Sequence, residues 1–190
     1  MSVNPIPGRE ALTEEIVERE WEMMRAVVSD GRSLCQERPG TFRAMREMSH
    51  SVLSRDTLAS YLGDLRNAQA EGRNLVTEKY ARMEGQIPPV SECPLIPRIV
   101  AIESAWMDEL CASFPFTFRA AVTYFARYEA CELETYSDTT LTLLYRDVLG
   151  AREKSRNLVR ERYQNLFAKL GQGTLAEVEV RAREMAASPA

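Results

Sequence analysis

The sequence predicts an all-α, single-domain bundle of about six to seven helices. Apolar residues recur at intervals of three and four along most of the chain, which is the period of a helix with one buried face. No segment of four or more residues alternates apolar and polar side chains in the manner of a half-buried strand. Prolines and glycines separate the helical stretches.

Capping residues and helix breakers give the predicted boundaries. The predicted helices cover approximately residues 12–30, 41–53, 54–85, 98–113, 117–136, 138–170 and a short terminal stretch that starts at 174. An extended N-terminal arm over residues 1–10 precedes them, and a proline-rich crossover loop over residues 86–97 joins the third helix to the fourth. No internal repeat is evident, so residues 1–190 are interpreted as one domain.

Composition excludes several classes of protein. The chain has 190 residues, 45% of them hydrophobic and 27% charged, which is ordinary for a globular domain. A net charge of -4 without a basic stripe disfavours nucleic acid as a partner. The sequence contains no signal peptide and no apolar run long enough for a membrane helix, so we expect a cytoplasmic protein that does not bind membranes.

The metal-binding and nucleophilic residue types are sparse. The four cysteines have no CxxC spacing, which favours reduced thiols over a zinc site. His50 is the only histidine, and it lies near the end of the second predicted helix without a nucleophile motif. We therefore expect His50 to face solvent, and a serine or cysteine hydrolase is disfavoured.

Charged residues occur in the middle of several apolar helix faces. Glu20 has Ile16, Val17, Met23 and Met24 as its neighbours one turn away on either side. Glu103 is placed similarly between Ile99 and the pair Trp106 and Met107. Glu129 and Glu132 lie one turn apart on the apolar side of the fifth helix. Lys79 in the third helix and Arg152 in the sixth also fall on apolar faces.

Buried ionised groups need compensation, because moving one out of water costs several kcal/mol. We therefore expect these side chains to meet in a buried pocket. Glu20 and Glu132 are the candidate catalytic residues. The candidate substrate-binding residues are Lys79, Arg152, Tyr136 and Tyr80. The candidate metal ligands are Glu20, Glu103, Glu129 and Glu132.

Three stretches resemble a known family: residues 18–24 (EREWEMM), 72–83 (GRNLVTEKYARM) and 132–141 (ELETYSDTTL). They are similar to a family of roughly 200-residue bacterial proteins catalogued as a domain of unknown function. The resemblance covers nearly the whole chain and implies a bacterial source, but no activity. Glu20, Lys79 and Glu132 lie in these stretches, as do Glu78, Tyr80 and Tyr136.

Two functions from different classes fit the pattern. In the first, the pocket binds an anionic or zwitterionic metabolite, or acts on it as an enzyme with Mg²⁺ or Mn²⁺ as cofactor, since carboxylates without histidine suit hard cations. Residues 129–132 are similar to the ExxE element of all-α nucleotide pyrophosphohydrolases, a short motif that also arises by chance. In the second, the protein has a structural or interaction role, for example as a homodimer, and the inward charges form its salt-bridged core.

Overall fold

The computed structural model describes residues 8–27, 34–118 and 122–187. It confirms the predicted all-α, single-domain fold, and the described residues include no strand. None of the described helices has the length and apolar character needed to cross a membrane. The helices in chain order are α1 Arg9–Arg25, α2 Leu34–Glu37, α3 Pro39–His50, α4 Arg55–Ala70, α5 Leu75–Met83, α6 Leu95–Ser113, α7 Val122–Leu133, α8 Asp138–Glu153, α9 Leu158–Lys169 and α10 Leu175–Ala187.

Two predicted long helices are each divided in two. The predicted helix 54–85 ends at Ala70, where Gly72 takes a φ of 70° and Asn74 begins α5 by accepting a hydrogen bond from the Thr77 amide. The predicted helix 138–170 is broken in the same way, with Ser155 at a φ of 54° and Asn157 as the cap of α9. Both breaks are left-handed helix stops followed by a new N-cap.

Other boundaries differ by a few residues. The crossover loop is shorter than residues 86–97, because Pro94 to Pro97 fall in and before the first turn of α6, where a missing amide donor costs nothing. Helix α1 already includes residues 9 and 10 of the predicted arm, and residues 1–7 of that arm lie outside the described residues.

Four helices of the first half of the chain recur in the second half, in the same order. Helices α3 and α7 begin at residues 39 and 122 and end at 50 and 133, a constant offset of 83 residues. The same offset relates both ends of α4 and α8, and it relates the first residues of α5 and α9. The chain therefore contains two consecutive copies of one unit, an N-terminal repeat (α1, α3, α4 and α5) and a C-terminal repeat (α6 to α9).

Equivalent side chains make equivalent contacts in the two repeats. Residues 73–80 read RNLVTEKY, and residues 156–163 read RNLVRERY. The Asn74 amide donates to the Met23 carbonyl oxygen at 2.9 Å, and the Asn157 amide donates to the Trp106 carbonyl oxygen at 3.0 Å. The expectation of no internal repeat is therefore wrong. Outside this octapeptide the copies share helix boundaries and scattered capping and charged residues, which leave no continuous run of identities.

The two repeats interlock around a common core. Helices α4 and α8 pack against each other, while α3 packs on α9 and, reciprocally, α5 packs on α7. Reciprocal caps reinforce this packing. Asp147 accepts hydrogen bonds from the Ser54 amide at 2.8 Å and the Thr57 hydroxyl at 2.6 Å. In the other direction, Asp64 accepts from the Ser137 amide at 3.1 Å and the Thr140 hydroxyl at 2.6 Å.

These caps should matter equally to stability. We predict that Asp64→Ala and Asp147→Ala will each lower the free energy of unfolding by about 1–2 kcal/mol, because each removes the acceptor of an N-cap serine amide and a first-turn threonine hydroxyl. The exposed Asp108 serves as the control, and Asp108→Ala should change the free energy of unfolding by less than about 0.5 kcal/mol. Urea unfolding followed by circular dichroism measures all three. A large effect of one aspartate with none of the other would contradict the equivalence of the repeats.

Candidate functional site

A fully buried carboxylate lies at the centre of the polar interior. Helix α1 carries Glu20, which is 1% exposed. Arg46 of α3 holds both of its oxygens, donating from Nη2 to Oε1 at 2.6 Å and from Nε to Oε2 at 2.9 Å. The Tyr61 hydroxyl donates to Oε1 at 2.8 Å, and His50 Nε2 lies 3.1 Å from the same oxygen. Glu20 is thus bonded by side chains from two further helices.

Arg46 also binds a carboxylate from the other repeat. Its Nη2 donates to Glu132 Oε1 at 2.7 Å and its Nη1 to Glu132 Oε2 at 3.1 Å. Lys79 of α5 donates to Glu132 Oε2 at 2.6 Å, and the Tyr136 hydroxyl donates to Oε1 at 3.3 Å. We call Glu20, Arg46, Lys79 and Glu132 the polar network. It joins α1, α3 and α5 of the N-terminal repeat to α7 of the C-terminal repeat.

The polar network keeps its four groups ionised. Burial raises the pKa of Glu20, but the electrostatic attraction of Arg46 and of His50, together with the hydrogen bonds to both, outweighs this effect and lowers the pKa to about 2. Burial likewise raises the pKa of Glu132, and Arg46 and Lys79 hold it well below its usual range. Burial lowers the pKa of Lys79, but the Glu132 charge more than offsets this and raises it. Lys79 is therefore a cation rather than an amine nucleophile.

A small cavity adjoins the polar network. Its volume is about 30 Å³, and its walls include Arg46, Tyr61, Lys79, Tyr80, Tyr128 and Glu132. The Lys79 ammonium lies 3.5 Å from the centre of the Tyr128 ring and 5.6 Å from that of Tyr80, so aromatic faces cover the side that Glu132 does not bind. The cavity has room for one water molecule or one functional group of a ligand.

A second buried ion pair occupies the equivalent place in the C-terminal repeat. Arg162 donates to both oxygens of Glu103, at 2.7 and 2.9 Å, and Glu103 is 0% exposed. Glu103 and Arg162 are the equivalents of Glu20 and Lys79, since each pair of numbers differs by 83. Unlike Lys79, Arg162 turns towards the glutamate of its own repeat. The Arg162 Nε is buried without a partner among the described residues.

Glu129 takes the position in α7 that Arg46 has in α3. It is half-buried, and it forms no hydrogen bond or ion pair with any other residue that the structure describes. Burial raises its pKa, the Glu103 charge raises it further, and the opposing effect of Arg162 is smaller, so the pKa is about 8. The carboxyl of Glu129 is therefore mostly protonated at neutral pH.

The structure brings together most of the residues selected from the sequence. Lys79 and Tyr136 bond directly to Glu132, Arg46 joins Glu20 to Glu132, and Tyr80 lines the cavity. Glu103 and Glu129 lie beside this group rather than in it. Among the described residues no group of three aspartate, glutamate, histidine or cysteine side chains is arranged to hold a metal ion. Three of the four predicted metal ligands are instead bonded to arginine or lysine: Glu20, Glu103 and Glu132.

One predicted residue lies elsewhere. Arg152 is exposed in the last turn of α8, so the expectation that it faces the interior is wrong. The apolar stripe used to place it runs through the break between α8 and α9, and a stripe has no meaning across a break in the helix.

Sequence reasoning also missed two central groups. Arg46 was not selected because its neighbours Arg43, Ser49 and His50, one turn away, are polar and hide its inward position. His50 is 1% exposed and contacts Glu20, so the expectation that it faces solvent is wrong. Phe42, Arg46 and His50 recur every four residues, and that spacing was the available signal.

The polar network should make stability depend on acid. We predict that the free energy of unfolding will fall as the pH drops from 4.5 towards 2. The lowered pKa of Glu20 contributes its full stabilisation above pH 4.5, and this stabilisation decreases as the unfolded and then the folded protein takes up the proton. The contribution of Glu20 is about 3 kcal/mol at neutral pH. Urea unfolding at pH 7, 5, 4 and 3 measures it. Glu20→Gln should be less stable at pH 7 and show a shallower decline, and an unchanged decline would contradict the ionised state of Glu20.

Comparison with known proteins places the chain in a family. No curated protein and no solved structure matches it. Residues 10–180 match the family described as a protein of unknown function, DUF4125. The match spans the two repeats, including every residue of the polar network. It confirms the predicted membership of an uncharacterised family, and the chain belongs to the DUF4125 family.

Proposed function

We propose that the protein binds a small metabolite through an anionic group at the cavity beside the polar network. The observation that carries the proposal is a difference between the repeats. Four polar residues surround the polar network: His50, Tyr61, Thr135 and Tyr136. The positions 83 residues away from them hold apolar residues, in the same order Leu133, Leu144, Val52 and Leu53. The same helices thus pack with apolar residues in one place and polar residues in the other.

This internal comparison separates folding from function. Leu133, Leu144 and Leu53 are all buried in the core. Apolar side chains therefore satisfy the fold at these positions, and a buried polar group generally costs stability compared with a well-packed apolar one. Polar residues that the fold does not require are the usual mark of a binding site.

The unused hydrogen-bond donors define the kind of ligand. The oxygens of Glu20 and Glu132 already accept bonds from Arg46, Lys79 and tyrosine hydroxyls. Lys79 gives one of its three N–H groups to Glu132, and the other two have no oxygen acceptor among the described residues, with the ring of Tyr128 against the ammonium. The Tyr128 hydroxyl forms no hydrogen bond with the described residues. A cavity with spare donors and a lysine cation favours an acceptor, and a carboxylate or phosphate oxygen suits it.

A structural role is the second candidate. The cavity is small, and the charges of the polar network balance each other, as in a salt-bridged core that fixes helix register in a monomer or a homodimer. The two proposals differ in their response to ligands, because only a binding site stabilises the native state by mass action. A structural core would leave the melting temperature unchanged by any metabolite anion.

A thermal-shift screen tests the proposal. We predict that an anionic or zwitterionic metabolite at about 100 times its dissociation constant will stabilise the protein by about 2.7 kcal/mol, which raises the melting temperature by roughly 5–10 °C. Lys79→Gln should abolish this rise, since the cavity loses its ammonium group while Arg46, whose donors already bind Glu20 and Glu132, still compensates Glu132. Mg²⁺, Mn²⁺ and EDTA are included in the screen to detect a metal requirement.

Arg82→Gln is the matched control. Arg82 lies one turn from Lys79 on α5 and forms an ion pair of the same length, 2.6 Å, with Glu134, away from the cavity. Both variants lose one ion pair, but only Lys79→Gln should lose the response to ligand. Equal responses in the two variants would contradict a site at Lys79.

Exchange between the repeats tests whether the polar residues serve the fold. We predict that the double variant Tyr61→Leu, Thr135→Val, which introduces the residues of the equivalent positions Leu144 and Val52, will keep its helical circular dichroism and lose less than about 2 kcal/mol of unfolding free energy. Ligand affinity should fall at least tenfold, because both residues line the cavity. Unfolding of this variant would instead favour the structural role.

A further inference from the structure

The cavity beside the polar network opens to solvent between aromatic side chains. Most of the residues in its walls are buried, and only Val76, Tyr80 and Tyr128 among them are half-buried. The opening therefore lies among these three residues, which come from α5 and α7 and hence from both repeats. A volume of about 30 Å³ has room for one functional group, so the remainder of a ligand has to lie at this opening.

Aromatic rings continue from the opening to the inner walls of the cavity. The buried part of the walls includes Phe42 and Tyr61. The Phe42 ring packs against Trp21, with ring centres 5.5 Å apart. The Tyr61 ring packs against Tyr136, with ring centres 4.4 Å apart. A flat apolar group at the cavity would meet rings on more than one side, and aromatic pairs add to the free energy gained from buried area alone.

Internal symmetry shows that the fold does not require an aromatic ring at Tyr128. The position 83 residues away, on α3, holds Met45, which is 39% exposed and so contributes little to the core. The Tyr128 ring instead covers a cation, since its centre lies 3.5 Å from the Lys79 ammonium. Tyr128 is therefore positioned by the cavity rather than by core packing.

The donors at the cavity match a carboxylate better than a phosphate. Beyond its bond to Glu132, Lys79 has two N–H groups without an oxygen acceptor in the described part of the chain, and the Tyr128 hydroxyl also lacks a partner there. A carboxylate brings two oxygens and one charge, whereas a phosphate monoester brings three free oxygens and a charge of about -1.5 to -2 at pH 7. The two acids and two bases of the polar network already balance, so each further negative charge costs more to bury, and a monoanion is favoured.

We infer that the ligand is an aromatic monocarboxylate, whose carboxylate binds Lys79 inside the cavity while its ring packs at the opening against Tyr80 and Tyr128. The inference rests on the proposed function, since it names the class of ligand that the same site takes. Tyr128 is the specificity-determining residue. An aliphatic acid of equal size would lack the contacts between rings, and a neutral aromatic amide would lack the ion pair with Lys79.

Matched probes test the inference. Isothermal titration calorimetry at pH 7 compares benzoate, phenylacetate and 3-phenylpropanoate with their cyclohexyl analogues, their amides, phenyl phosphate and acetate. The three spacers cover the depth of the cavity. We predict that the tightest of the three aromatic acids will bind at least about five times more tightly than its cyclohexyl analogue. It should also bind at least about ten times more tightly than its amide, phenyl phosphate or acetate.

Tyr128→Met gives the decisive comparison, because it introduces the residue of the equivalent position Met45. The variant should keep its helical circular dichroism and bind the aromatic acid and its cyclohexyl analogue within about twofold of each other. Tyr128→Phe keeps the ring and loses the hydroxyl donor, so it should bind both acids more weakly and retain the preference for the aromatic one. The ratio of the two affinities is a readout that a merely structural role of Tyr128 would not change.

Tyr124→Met is the matched control. Tyr124 lies one turn from Tyr128 on α7, is 72% exposed and does not line the cavity. Both affinities and their ratio should therefore stay at the native values. A loss of preference in this variant equal to that in Tyr128→Met would contradict a specific role of Tyr128.

The outcomes separate the two proposals. If the cyclohexyl acids bind as tightly as the aromatic acids, or if Tyr128→Met retains the preference, the inference is overturned while the anion site stands. If phenyl phosphate binds most tightly, the inference is likewise overturned and the anion site stands. If the amides bind as tightly as the acids, or if no probe binds and the metabolite screen is also negative, the proposed function itself is overturned.

Discussion

The fold depends on one guanidinium group that holds two carboxylates in the dry interior. Arg46 lies between Glu20 and Glu132, which come from helices in different repeats. Each ion in this set would cost several kcal/mol if it were buried alone. The arrangement is stable because each oxygen has at least two donors and each base at least one carboxylate. Helices α1, α3, α5 and α7 are consequently held in one register, and the cavity lies at the edge of that contact.

Duplication with divergence accounts for the uneven distribution of polar groups. Two copies of one four-helix unit keep serine and asparagine caps at equivalent positions, the boundaries of their two middle helices and an acid at the equivalents Glu20 and Glu103. They differ in the base that binds this acid: Arg46 on α3 in one copy and Arg162 on α9 in the other. An ion pair is thus retained in both copies with different geometry. Only the site around Glu20 and Glu132 adds tyrosines and a histidine, and both copies supply them: His50, Tyr61 and Tyr80 come from the first copy and Tyr128 and Tyr136 from the second.

The sequence was sufficient for the fold class and for part of the site. Glu20, Lys79 and Glu132 could be found because each interrupts an apolar face, and the period of a helix is reliable within one unbroken element. Arg152 was misplaced because its stripe crossed the turn at Ser155, a residue with no strong tendency to end a helix. Arg46 and His50 were missed because polar neighbours mask their faces. Which acid meets which base depends on contacts between α3 and α7, which no local pattern encodes.

The crossed packing of α3 on α9 and α5 on α7 has a mechanical consequence. Helices α3 and α5 of the N-terminal repeat pack on α9 and α7 of the C-terminal repeat, so each repeat covers part of the apolar surface of the other. A protease cut in the connector between α5 and α6 would therefore nick the backbone without releasing a fragment. The protein resembles an obligate dimer whose subunits were joined end to end, and covalent continuity contributes little to holding the joined parts together.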